Sequence, residues 1–159
     1  MAQMSKIVAA EAIVQASDLA GFALGTRVMT ADGEIPVEFL TAGDRIITRE
    51  GMRVLRAVTC TEASNITMIR VSSDSLGSGR PGEDVLLAPG QRVLLRDWRA
   101  KALFGQVQAL VPIARLVDGQ YISRCEVPAA RLFALHFDTP QVIYAEGLEL
   151  AATPLTVTA

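Results

Sequence analysis

The sequence predicts an all-β domain built from two similar halves. Three observations predict it: two blocks of sequence recur, turn signals come in quick succession, and the apolar content is aliphatic rather than aromatic. Residues Ala23-Leu24-Gly25-Thr26-Arg27-Val28-Met29 return as Ala88-Pro89-Gly90-Gln91-Arg92-Val93-Leu94, an offset of 65. Pro36-Val37, Leu40, Gly43 and Ile46 return as Pro112-Ile113, Leu116, Gly119 and Ile122, an offset of 76. The second copy therefore carries 11 extra residues between its blocks. Two copies are too few for a solenoid, which needs about three stacked units. They imply one folded unit whose halves bury a face against each other.

Residues 3–20 read as a helix outside the repeat. Met4, Ile7, Val8, Ala12, Val14 and Gln15 fall near helical spacing, and alanine is abundant. From Gly25 the character changes to strands. Asp32-Gly33, Glu50-Gly51 and Asp118-Gly119 are hairpin-type turns, because glycine accepts positive φ without a steric penalty. Ala42-Gly43-Asp44 adds a further turn, and turns near 33, 43 and 51 give the rhythm of a sandwich or barrel. Strand runs lie at 26–30, 46–49, 52–60 and 66–71. The runs at 85–87, 93–95 and 109–111 do not alternate, which predicts strands buried on both faces. Ser72 to Glu83 is a polar, glycine-rich loop between the halves. Asp97 caps a short helix that Gly105 ends, and most of the extra length of the second copy sits there. The expected organisation is an N-terminal helix over 1–20, a β domain over 21–150 and a tail over 151–159.

At 159 residues the chain is one domain by size and needs no disulfide to build a core. The net charge is −2, with no basic excess to point to nucleic acid and no acidic run. Cys60 and Cys125 have no metal-site spacing and one histidine to help them. They read as two small buried thiols in a reducing compartment. No metal and no cofactor is expected. The apolar runs are too short for a membrane span, and the N-terminus lacks a signal-peptide pattern, with Lys6 its one early positive charge. A cytoplasmic location is expected, with secretion the alternative.

The segments Gly21-Phe22-Ala23-Leu24-Gly25-Thr26-Arg27-Val28, Asp32-Gly33-Glu34, Pro36-Val37-Glu38 and Ala42-Gly43-Asp44 resemble the start of a bacterial Hedgehog/intein (Hint) domain. The resemblance continues through Gly79-Arg80-Pro81, the 88–95 block, Trp98-Arg99-Ala100 and Leu110-Val111-Pro112. It runs on through Leu116-Val117-Asp118-Gly119 and Phe137-Asp138 to Ala145-Glu146-Gly147. It implies a Hint-like horseshoe of two pseudo-symmetric β halves. It also implies an activity, self-cleavage. A cysteine or serine opening the domain attacks the preceding carbonyl, and a motif histidine protonates the departing nitrogen. In inteins a terminal asparagine then cyclises. The amide is held by resonance, so the reaction needs an activated nucleophile and a proton carrier.

The chain departs from that pattern where the chemistry sits. Gly21 stands at the opening nucleophile, Gln91 at the motif histidine and Ala88 at the preceding hydroxyl residue. Ala134 and Pro140 stand where relatives carry further histidines, and the one asparagine, Asn65, lies mid-chain. These departures predict a scaffold without self-cleavage, acting as a protein- or peptide-binding or structural module, with self-association possible. The alternative is residual autoprocessing through displaced groups. His136, the only histidine, would be the proton carrier and Cys60 or Cys125 the nucleophile. The plainer reading makes His136 an ordinary strand residue and the cysteines structural. Thr26 is an unactivated hydroxyl near the lost nucleophile. Arg96, Arg99 and Lys101 around Trp98 form a small basic aromatic patch, or a solvated helix with one anchoring tryptophan. Asp138 and Glu146 could form a carboxylate pair only if the fold brought them together.

Overall fold

A computed structural model of the chain describes residues 19–154. The expected N-terminal helix lies outside the described residues except for Leu19 and Ala20, which are in neither helix nor strand. The described part is all-β apart from one short α-helix and two 3-10 turns. Strands β1 (Phe22–Ala23), β2 (Arg27–Thr30) and β3 (Gly33–Pro36) lead through a 3-10 turn (Val37–Phe39) to β4 (Arg45–Thr48) and β5 (Gly51–Val54). Next come β6 (Ala57–Val71), β7 (Val85–Leu87), β8 (Arg92–Leu95), helix α1 (Trp98–Phe104) and β9 (Ala109–Pro112). A second 3-10 turn (Ile113–Leu116) precedes β10 (Ile122–Phe137), β11 (Gln141–Ala145) and β12 (Leu148–Pro154).

The two halves fold alike down to single hydrogen bonds. In the first, Arg27 pairs with Pro36, and in the second Arg92 pairs with Pro112. The Val37 amide donates to the Thr26 carbonyl at 2.8 Å, and the Ile113 amide donates to the Gln91 carbonyl at 2.9 Å. Each of these pairs sits at the sequence offset of its block. The hairpins differ only in their connection. Thr30 pairs with Gly33 across a tight turn, whereas Leu95 pairs with Ala109 across thirteen residues that hold α1. That difference accounts for the extra length of the second copy. As expected, the Asp97 side chain caps α1 by accepting from the Arg99 amide, and Gly105 closes it in the left-handed conformation.

The recurring apolar residues are the core. Val28 and Val93, Val37 and Ile113, Leu40 and Leu116, and Ile46 and Ile122 are all buried in one cluster. Burying each such side chain contributes about 1.5–3 kcal/mol, so each half is held by the face it offers the other. The β11–β12 hairpin joins the halves, with Ala145 opposite Val28 and Leu150 opposite Val93. The result is a horseshoe of two pseudo-symmetric lobes.

Three expectations are corrected. The runs at 52–60 and 66–71 are not separate strands: β6 is one strand of 15 residues. It pairs along almost its whole length with the 16-residue β10. The polar stretch Thr59 to Asn65 hid this, because half of β6 is exposed and shows no apolar alternation. Pro128 lies inside β10 opposite Asn65, and the ladder is interrupted there, since proline has no N–H to donate. The boundary at residue 150 also falls inside a strand. β12 continues to Pro154, with Ala152 paired to Gln141 and Thr153 to His136. Finally, β9 is not buried on both faces, since Leu110 is exposed, whereas Val93, Leu94 and Leu95 are buried throughout.

Candidate functional site

Phe22 fixes the place where the chain enters the domain. Its ring is buried, and its backbone pairs with Leu87 of β7 on one side and Phe133 of β10 on the other. This holds residues 19–21 against the turn at 88–91. The Gly90 amide donates to the Leu19 carbonyl at 2.7 Å, and the Ala88 amide donates to the Gly21 carbonyl at 3.0 Å. The Gly21 amide, the nitrogen of the Ala20–Gly21 peptide bond, donates to Gln91 Oε1 at 2.9 Å.

Gln91 is buried and fully used. Its Nε2 donates to the Ala151 carbonyl at 2.9 Å and to the Arg92 carbonyl at 3.1 Å. With two carbonyls on one side and an N–H on the other, the amide has a single sensible orientation. Residues far apart in sequence, Gly21, Ala88 and Gln91, are thus one connected cluster around one peptide bond.

There is no room for a side chain at residue 21. A Cβ placed there would lie 2.9 Å from the Phe133 carbonyl oxygen and 3.3 Å from Leu132 Cβ. The backbone φ of +125° is also one that only glycine adopts without strain. Two independent features, space and conformation, select glycine.

The family is now decided. The Hint domain model matches residues 20–153 of this sequence. The chain belongs to the Hint-domain family. Its fold is similar to that of the bacterial intein-like domain from Clostridium thermocellum, with a TM-score of 0.60 at 14% identity over 84% of this chain and 98% of that one. It is also similar to a DnaB intein from Synechocystis sp. PCC 6803, with a TM-score of 0.58 at 13% identity over 84% and 99%. The gp41-1 intein gives 0.56 at 10% identity over 83% and 98%. At these identities the likeness is one of fold. No curated protein matches the chain in sequence.

The other positions singled out in this Hint domain do not gather at Gly21. Ala134 and His136 share a face of β10, two residues apart. His136 Nε2 lies 2.9 Å from the Thr59 hydroxyl, across the ribbon. Cys60 sits opposite Phe133, three residues from His136, so their side chains project to opposite faces of the β6–β10 ribbon. Neither cysteine is the buried thiol expected: Cys60 is an exposed free thiol near the start of β6, and Cys125 is a half-buried free thiol near the start of β10. Cys125 accepts from Arg70 at 3.7 Å and lies eleven residues along the strand from His136. Pro140 is exposed in the turn before β11. Asp138 pairs with Arg56, and Glu146 with Arg27, so the fold gives the two carboxylates separate partners. Trp98 is exposed, with the Arg99 guanidinium 5.2 Å from its ring centre. Among the described residues, no group of three or more histidine, cysteine or acidic side chains could hold a metal ion. None of the described helices is long and apolar enough to cross a membrane.

Sequence reasoning missed Glu149. In Leu148-Glu149-Leu150 it reads as the outward residue of an alternating strand. Instead it is buried at 3% exposure and forms ion pairs with three guanidinium groups: Arg49 at 2.7 Å, Arg96 at 2.8 Å and Arg80 at 3.3 Å. A charged residue between two fully buried leucines was the available signal, because such a residue is rarely buried without partners.

Proposed function

We propose that this Hint domain does not cleave itself and serves as a protein- or peptide-binding or structural module. One observation carries the reading: the Ala20–Gly21 peptide bond has neither an attacking group nor a proton carrier beside it. Residue 21 has no side chain and no space for one. Its amide nitrogen is bound to Gln91 Oε1, and a carboxamide does not exchange protons near neutral pH. Conversion of an amide to an ester or thioester requires a nucleophile within reach of the carbonyl and proton delivery to the departing nitrogen. The displaced reagents do not replace them, because Cys60 and His136 face opposite ways.

What remains at this place is a peptide held by backbone bonds at Leu19 and Gly21 and by the Gln91 side chain, which is a binding arrangement rather than a reactive one. Intact mass of the purified chain, incubated with hydroxylamine or with a small thiol, tests the reading. The full-length mass is expected to persist under both conditions. Loss of residues 1–20, or their release as a hydroxamate, would overturn it.

A further inference from the structure

An apolar groove opens beside the entry point of the chain. Its volume is about 500 Å³, and Leu24, Met68, Leu86, Val127 and Ala130 line it. The charged register pair Glu62 and Arg131 stands along one side. Met68 in that lining belongs to a small cluster separate from the main core, formed with Ala88 and Leu132. Leu19 packs on that same cluster, together with Leu86, Val127 and Ala130.

We propose that residues 1–18 of this chain occupy the groove. This rests on the non-cleaving reading, because cleavage before Gly21 would release the segment. The segment begins beside the groove, since Leu19 packs on the cluster that the groove residues Leu86, Val127 and Ala130 share, and its carbonyl is fixed by the Gly90 amide. Its composition fits. Met4, Ile7, Val8, Ala12, Ile13 and Val14 are apolar, and the charges are limited to Lys6, Glu11 and Asp18. Lys6 and Glu11 are complementary to Glu62 and Arg131. Eighteen residues reach at least about 27 Å even when coiled as a helix, enough to cover a site that starts at their own last residue. Tethering gives the segment an effective concentration in the millimolar range, so it outcompetes a free peptide of similar affinity. The groove is then filled from within, and an outside partner must displace the segment to bind.

The test uses the full chain with Cys60→Ser and Cys125→Ser. Cysteines are placed in pairs: Val127→Cys with Met4→Cys, Ile7→Cys or Val8→Cys. The control keeps each N-terminal cysteine but moves its mate to Arg53→Cys, on β5 at the far end of the strand order. Under mild oxidation at least one groove pair is expected to form an intramolecular disulfide about tenfold faster than its control. Equal rates would overturn the proposal, as would disulfide-linked dimers, which would put a second copy in the groove. Wild-type chain provides a reading free of substitutions. Trypsin is expected to cut after Lys6 about tenfold more slowly than in a synthetic peptide of residues 1–18, and equal rates would sink the idea. Intact mass on the same samples separates the two failures. Loss of residues 1–20 removes the non-cleaving reading, whereas full mass without protection removes only the docked segment.

Discussion

The turn at Ala23–Thr26 and the turn at Ala88–Gln91 have the same backbone and opposite reach. In each, the last amide bonds the carbonyl three residues back: Thr26 to Ala23 at 3.2 Å, Gln91 to Ala88 at 3.0 Å. Each last residue is buried. The Thr26 hydroxyl also donates to Ala23, so its side chain serves its own turn. The Gln91 carboxamide instead reaches Gly21 and Ala151, 70 and 60 positions away. The recurring backbone supplies an equivalent place in each half, and side-chain length decides whether that place is a local brace or a junction. A functional position in one lobe therefore need not have a functional twin in the other.

The largest test strikes the joint between the lobes. Glu149 gathers Arg49 from the first half, Arg80 from the connecting loop and Arg96 from the second. Glu149→Leu leaves three guanidinium groups without their carboxylate, a loss of about 3 kcal/mol. At this size the melting temperature is expected to fall by roughly 6–12 °C. A change within about 1 °C would mean the lobes hold together by apolar packing alone.

A smaller effect separates the two turns directly. Gln91→Ala strands the buried Gly21 N–H and the Ala151 carbonyl bond, at about 2 kcal/mol. Thr26→Ala removes a hydroxyl whose acceptor keeps its backbone donor, at about 1 kcal/mol or less. Urea unfolding of the two variants measures the difference. Equal losses would break the contrast between brace and junction.

The smallest effect concerns acid. In the second half Asp118 Oδ1 accepts from the amides of Gln120, Tyr121 and Ile122 at 2.8–3.0 Å. The corresponding turn of the first half uses Asp44, one place after its glycine, to accept from the Thr41 amide alone. The bond from Ile122 is the largest influence on the Asp118 carboxyl, and with those from Gln120 and Tyr121 and the Arg99 charge it outweighs desolvation, the second largest, and holds the group below its ordinary value of 3.8. A carboxyl depressed in the folded state stabilises fully above its unfolded value, and that contribution disappears as pH falls through the folded value. Asp118→Asn is expected to flatten the loss of stability below about pH 4, measured by urea unfolding at stepped pH. An unchanged acid limb would assign the sensitivity elsewhere.

Much of this was legible in advance. The repeat gave the two lobes, since Val28, Val93, Ile46 and Ile122 recur because both halves must bury the same face. Asp97 and Gly105 marked α1 by capping chemistry that is local to the chain. Gly21, Ala88 and Gln91 were singled out in the sequence, and the fold brings the three together. The long β6–β10 ribbon was not legible. Its exposed half has no alternation, and contacts between residues 77 positions apart, such as Thr59 and His136, leave no local trace.

By itself, then, the sequence determined the all-β class and the plan of two similar halves, because each follows from residue identity and spacing. Only the tertiary structure decided that residue 21 has no room for a side chain, that Gln91 grips its amide, and that Glu149 is buried under three arginines. Those facts depend on where atoms from distant segments meet, and close packing fixes such meetings to a few tenths of an ångström.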